Sequence, residues 1–182
     1  MATGRTTRDA EIIDAPNLIR GIVESVIPLA AGNQVEIQLS AIPEAALKGD
    51  VRRLEQVFVN LLGNSLKFTR AGGRIMVSAR IVGRGLEVRV ADDGIGIAPE
   101  FLPHVFDRFR QGDSTTTRNH SGLGLGLSIA KQLVEAHNGS IRVESAGTGK
   151  GTAFIVTLPL SGPVAETPVN VESPEANEPR LD

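Results

Sequence analysis

Residues 50–69 read DVRRLEQVFVNLLGNSLKFT. Leu54, Val57, Phe58, Leu61, Leu62 and Ser65 recur at helical spacing and fall on one face, and Asp50 stands where an N-cap belongs. The stretch therefore predicts a helix from Asp50 to about Phe68 with one buried stripe. Beside that stripe lie Asn60, Asn64 and Lys67 at i, i+4 and i+7, within about 60° of arc at about 100° per residue. Short amides bordering a core are placed to line a pocket. Amide oxygens suit hard cations such as Mg²⁺, and an ammonium supplies a point charge for phosphate. Alone, the stripe reads more readily as a solvated polar edge.

Working outward, Pro16 to about Ala31 predicts a helix capped by Asp14, with Leu18, Ile19, Ile22, Val23, Val26 and Ile27 as its apolar stripe. Val35 to Leu39 alternates as a half-buried strand. Beyond Gly72-Gly73, Arg74 to Ile81 and Gly85 to Ala91 read as strands joined by a turn at Gly83-Arg84. A glycine-rich loop at Asp92 to Pro99 leads into a short helical stretch ending near Phe109. Gln111 to Gly122 is polar and rich in Thr, Ser and Gly, as surface loops are. Leu123 to His137 predicts a third helix stopped by Asn138-Gly139. Ser140 to Ser145 and Thr152 to Leu158 read as two further strands. The expected fold is α+β: a two-layer sandwich of about three helices on a mixed, mostly antiparallel five-stranded sheet. It occupies residues 14–160, after an N-terminal segment of residues 1–13.

Residues 161–182 carry four Glu and one Asp against one Arg, which gives −4 of the chain's net −2 and leaves +2 for the rest. With four Pro and no aromatic residue, this segment reads as a disordered acidic tail or linker. The absence of Cys removes disulfides, thiolate metal sites and thiol nucleophiles. Without Trp or Tyr, and with a net charge near zero, the chain lacks the stacking platforms and basic footprint of a nucleic-acid binder. No apolar run is long enough to cross a membrane, and residues 1–8 lack the apolar stretch of a signal peptide. The expected location is cytoplasmic, whether as a separate protein or as the cytoplasmic part of a larger one.

Two glycine clusters carry further chemistry. Asp92-Asp93-Gly94-Ile95-Gly96 follows a strand. Its glycines permit a tight turn and a close approach to a ligand, and a carboxylate at a strand end accepts a hydrogen bond from an exocyclic amine such as that of adenine. Gly122-Leu123-Gly124-Leu125-Gly126-Leu127 opens the third helix, where free backbone amides suit a polyphosphate. Neither cluster is a P-loop or a dinucleotide fingerprint. Singly, each has a bland reading as turn chemistry or close helix packing.

In order, the set is Asn64, Asp92-x-Gly94-x-Gly96, Phe106-x-x-Phe109 and Gly122-x-Gly124-x-Gly126. It resembles the ATP-binding catalytic domain of sensor histidine kinases over roughly residues 14–160. Arg53 to Thr69 looks like that family's asparagine box, Asp92 to Ala98 its first glycine box, Phe106 to Phe109 its phenylalanine box and Gly122 to Leu127 its second glycine box. Gly151-Thr152-Ala153-Phe154 with Leu158-Pro159 resembles its closing strand. The resemblance implies the Bergerat sandwich and the cofactors ATP and Mg²⁺. By the same resemblance Asn64 is the metal ligand, Asn60 lies near the γ-phosphate and Lys67 contacts phosphate. Phe68 packs on the adenine, Asp92 reads its amine, Gly94, Gly96 and Ile97 shape the pocket, and Thr152 supports Asp92. Gly122, Leu123, Gly124, Leu125 and Gly126 line the phosphate and adenine side. Residues from about Pro99 to Ser121 form a lid. Leu123 stands where the family often has Thr.

Related ATPases (type II topoisomerases, mismatch-repair proteins, anti-sigma serine kinases) typically carry a general-base Glu at the place of Asn60. An Asn takes no proton, which favours transfer to an imidazole that is already nucleophilic. The histidines here do not supply that imidazole. His104 precedes Val105, His120 precedes Ser121 and His137 precedes Asn138, whereas the family's acceptor is usually followed by an acidic residue. His137 lies instead near a helix C-terminus, where an imidazolium would complement the dipole, and each of the three reads as structural or incidental. The expected partners are ATP or ADP, a separate His-containing dimerisation and phosphotransfer domain and, through it, a receiver domain. The chain itself is expected to be monomeric. Two rival readings stay open: a nucleotide-binding interaction module that transfers nothing, and an anti-sigma-type serine kinase.

Overall fold

The computed structural model describes residues 10–107 and 125–162. Its elements in chain order are β1 (Glu11–Asp14), α1 (Ala15–Gly32), β2 (Glu36–Leu39), β3 (Ala46–Gly49), α2 (Val51–Phe68), β4 (Arg74–Val82), β5 (Gly85–Asp92), α3 (Gly126–Ala136), β6 (Ser140–Glu144) and β7 (Thr152–Pro159), with a 3-10 turn at Leu102–His104. Five strands form one sheet in the order β2-β4-β5-β7-β6. Only the β2–β4 pair is parallel, and the rest of that sheet is antiparallel. The two-layer α+β architecture expected from the sequence is the one observed.

The alternation in the strands decides which face the helices cover. Ile75, Val77, Leu86, Val88, Val90, Phe154, Val156 and Leu158 turn inward and join the core with Leu54, Val57, Phe58, Leu61 and Leu62 of α2. Both long helices begin where their capping residues predict. The Asp14 carboxylate accepts from the Asn17 amide at 3.0 Å and that of Asp50 from the Arg53 amide at 3.2 Å.

The other face of the sheet is open and managed by charge. Ile155 points outward yet is only 1% exposed, because Arg89 and Arg142 stand directly opposite it on the neighbouring strands and their stems cover it. Glu87 is clamped by Arg80 at 2.6 Å and Arg142 at 3.1 Å. Hydrogen bonds from Arg80 and then Arg142 hold its carboxyl below the usual 4.5. The stability contributed by Glu87 is therefore present above that ordinary value and lost as pH falls through the lowered folded one. Glu87→Gln is expected to cost about 1 kcal/mol or less at neutral pH, since both arginines are largely exposed. Its melting temperature should also fall less steeply on acidification than that of the unmodified protein, in a pH series of thermal unfolding curves.

Two sequence expectations change. Residues 11–13, assigned to an N-terminal segment, pair antiparallel as β1 with β3, a strand that periodicity did not single out. At four residues each, these strands are too short to carry a period, and their pairing spans the whole of α1. Ser161, assigned to the tail, still donates its amide to Ala46 at 2.7 Å, and Leu160 bridges to Leu47. His137 is tied at both ring nitrogens. Its Nδ1 lies 2.7 Å from the Leu133 carbonyl, which can only accept, and its Nε2 lies 3.1 Å from the Asp50 amide, which can only donate. The ring donates from Nδ1 and accepts at Nε2, buried as a clamp from the end of α3 to the N-cap of α2. The acidic tail and most of the lid segment lie outside the described residues.

Candidate functional site

The site gathers where the C-terminal half of α2, the end of β5 and the start of β7 converge. Asp92 closes β5 and is matched with Thr152 in register. Its Oδ1 accepts from the Gly94 amide at 3.0 Å and the Thr152 amide at 3.2 Å, and its Oδ2 accepts from the Ser65 hydroxyl at 3.0 Å. Three elements thus fix one carboxylate, leaving acceptor capacity on Oδ2. Burial is the main cause that pushes the Asp92 carboxyl above its usual range; the donors of Gly94, Ser65 and Thr152 pull it back, and the charge of Asp93 adds to the rise.

The sequence places Ser65 only within the apolar face. In the structure it is 0% exposed and its hydroxyl serves Asp92. The one signal available was a small polar residue inside an apolar stripe. Thr152 acts through its backbone amide, so its contribution follows from strand register rather than from its side chain.

The loop after Asp92 is pressed against its neighbours. The Ile95 amide donates to the Phe68 carbonyl at 3.1 Å. A Cβ on Gly94 would overlap that same carbonyl, and Gly96 has φ +68° with the Gly147 carbonyl against its Cα. These two glycines are required by space and by backbone conformation. Ile95 is 41% exposed at the loop surface and Ile97 is half-buried.

On α2, Asn64 is partly exposed and its side chain makes no hydrogen bond among the described residues. Asn60 donates its side-chain amide to the Gly126 carbonyl at 3.1 Å, tying α2 to the first residue of α3. The Lys67 ammonium lies 5.2 Å from the centroid of the Phe68 ring. Leu125 caps α3 and Gly126 begins it, three residues later than the sequence suggested. Gly122, Leu123 and Gly124 lie outside the described residues, as does Phe109. Phe106 packs edge-on against the core residue Phe154, with centroids 6.5 Å apart. That contact ties the described end of the expected lid to the sheet.

The structure therefore brings Asn60, Asn64, Lys67, Phe68, Asp92, Gly94, Gly96, Ile97, Leu125, Gly126 and Thr152 to one end of the helix–sheet sandwich. A carboxylate with an open acceptor, a glycine loop, two amides and an ammonium can together accept from an amine, hold a cation through oxygen and neutralise phosphate. Among the described residues no group of three or more His, Cys, Asp or Glu is placed to hold a metal.

The model of one protein family, the histidine kinase-, DNA gyrase B- and HSP90-like ATPases, matches residues 49–162. The chain is 41% identical over 161 residues to the sensor histidine kinase AruS of Pseudomonas aeruginosa, an alignment that covers 82% of this chain and 16% of that protein. In fold it matches the mycobacterial sensor histidine kinase MprB with a TM-score of 0.74 and 31% identity, over 82% of this chain and 98% of that structure. It matches full-length ShkA in complex with AMPPNP equally well, with a TM-score of 0.74 and 30% identity over 86% of this chain and 32% of that one. The chain spans 12% to 25% of the length of four curated relatives it matches. No described helix is long and apolar enough to cross a membrane.

Proposed function

Since the chain belongs to the family of histidine kinase-, DNA gyrase B- and HSP90-like ATPases, we propose that it is the catalytic module of a sensor histidine kinase: it binds Mg²⁺·ATP and presents the γ-phosphate to a histidine on a separate helical domain. The observation that carries this reading is the Asp92 carboxylate, fixed by donors from Ser65, Gly94 and Thr152 beside a loop that only glycine can form. A carboxylate so held accepts from the adenine amine and faces the guanine carbonyl unfavourably, which gives base selectivity.

The donor set fits the metal. Asn64 offers an uncommitted amide oxygen on the helix face that borders the loop, the kind of ligand Mg²⁺ takes alongside phosphate oxygens and water. When bound, Mg²⁺ would neutralise charge on the phosphates. Lys67 adds positive charge on the same face, and Phe68 and Ile95 offer apolar surface to the base. Asn60 stands where a general base would be needed for hydrolysis and has no proton affinity to serve as one. Transfer then rests on positioning and charge. The acceptor imidazole forms a bond to the γ-phosphorus, the bond to the β-bridging oxygen breaks, and ADP leaves. A phosphotransfer domain bearing that histidine is the required partner, with a receiver domain downstream.

Calorimetric titration with ADP and GDP, with and without Mg²⁺, tests the binding half of the reading. Metal-dependent binding of ADP over GDP is expected, and equal affinity for the two would sink the role of Asp92. Asn64→Ala is expected to weaken the Mg²⁺-dependent component roughly 10- to 100-fold and to leave metal-free binding unchanged. Incubation with ATP and a histidine-bearing helical hairpin domain tests the transfer half. Acid-labile phosphate on that domain is the expected product; phosphoserine on a partner, or no transfer at all, would overturn it.

A further inference from the structure

The loop between β6 and β7 carries no residue of the site described above, yet it braces that site from beneath. The Ser145 hydroxyl accepts from the Ile97 amide at 3.0 Å and from the Gly147 amide at 3.3 Å, and donates to the Gly151 carbonyl at 2.7 Å. With one proton given and two lone pairs filled, its hydrogen-bonding capacity is spent. Two backbone bonds continue the same seam: the Gly149 amide donates to Ile95 at 2.6 Å and the Gly151 amide to Gly94 at 3.2 Å. The seam ends at the Thr152 amide on Asp92. The loop at Gly94–Ile97 is thus pinned on one side by Phe68 of α2 and on the other by residues 145–151, and Ser145 is the only side chain whose hydroxyl joins the two loops in that seam.

We infer that Ser145 is a positioning residue for nucleotide binding: its hydroxyl holds the Gly94–Ile97 loop in the conformation that accepts the adenine. The inference rests on the reading that Asp92 and this loop carry the base. Removing the hydroxyl strands the Ile97 and Gly147 amides and the Gly151 carbonyl at a partly exposed surface, where water can take them at the expense of the loop's fixed geometry. The sheet and helices lose no apolar contact, so the fold should persist while the pocket loosens.

Two measurements test it. Ser145→Ala is expected to bind ADP roughly tenfold more weakly, with a smaller preference for ADP over GDP, the same dependence on Mg²⁺ and a melting temperature within a few degrees of the unmodified protein. Affinity unchanged in the variant overturns the inference, as does a loss matched by equal loss for GDP. In the unmodified protein, without ligand, the Ile97 amide should exchange with solvent at least roughly tenfold more slowly than in an unstructured chain. Exchange at the free-chain rate overturns the inference even if the variant does not fold. If the unmodified protein binds no nucleotide, the proposed function falls, and the exchange rate at Ile97 still decides whether Ser145 holds the loop.

Discussion

Asp92→Asn is expected to bind ADP roughly 30- to 1,000-fold more weakly than the unmodified protein while unfolding at no lower temperature. The two effects have one cause. The buried carboxylate is raised above its ordinary 3.8 chiefly by desolvation, so the folded state holds its proton more tightly than the unfolded chain does. Stability from this group is present below the ordinary value and is lost as pH rises through the raised folded one. At neutral pH the ionised form is therefore a cost to the fold. An Asn keeps an oxygen for the Gly94 and Thr152 amides, and the Ser65 hydroxyl can turn to accept from its NH₂. The same NH₂ meets the adenine amine donor to donor. Losing a hydrogen bond to a charged acceptor and leaving a buried amine unpaired costs about 2–4 kcal/mol, which is the stated range of affinity. Calorimetry with ADP reads the first effect. Melting temperatures from about pH 3 to 7 read the second: the variant's advantage should shrink as Asp92 becomes protonated in the unmodified protein. A variant that binds ADP normally would remove Asp92 from base recognition.

Gly96→Ala is the second large effect, and it acts through space rather than charge. Gly96 sits at φ +68° and its Cα faces the Gly147 carbonyl so closely that a Cβ would overlap it. The left-handed backbone alone costs an alanine about 1 kcal/mol or more, and the overlap forces the loop away from residues 145–151. That movement breaks the Gly149–Ile95 bond and draws Ile97 off Ser145. Nucleotide binding should fall at least about tenfold and thermal unfolding should drop by several degrees. Gly83→Ala is the matched control. It also has positive φ but meets nothing within 4 Å, at a turn remote from the site, so it should lose stability alone. Equal binding by Gly96→Ala and the control would show that the loop's placement does not matter to the ligand.

Much of this was legible along the chain, for local reasons. The stripe Leu54 to Ser65 and the cap at Asp50 are properties of one helix, and the strands read at Arg74 to Ile81 and Gly85 to Ala91 belong to one hairpin. The glycines of the Asp92 loop marked themselves by spacing. What escaped was set by pairing across long stretches of sequence. Strand β1 exists because Glu11–Asp14 meets Ala46–Gly49, and neither tetrapeptide carries enough period to be seen alone. His137 shows only its own helix end in the sequence, because its second partner lies 87 positions away.

The candidate site divides in the same manner. The sequence by itself determined which residues stand as candidates to hold a nucleotide: two amides and a lysine on one helical face, an acid after a strand, glycines where a backbone must turn or approach. It determined the helices and the central hairpin too, because propensity, capping and periodicity act over a few residues. Only the tertiary structure decided that Ser65 donates to Asp92, that Thr152 serves through its amide, and that Ser145 stands under the loop. Those bonds join α2, β5, β7 and the β6–β7 loop, segments 27 to 60 positions apart. A hydroxyl or a backbone amide carries no mark of its distant partner in a linear sequence. Its role is fixed when burial leaves it one acceptor within reach, and burial is a property of the whole fold.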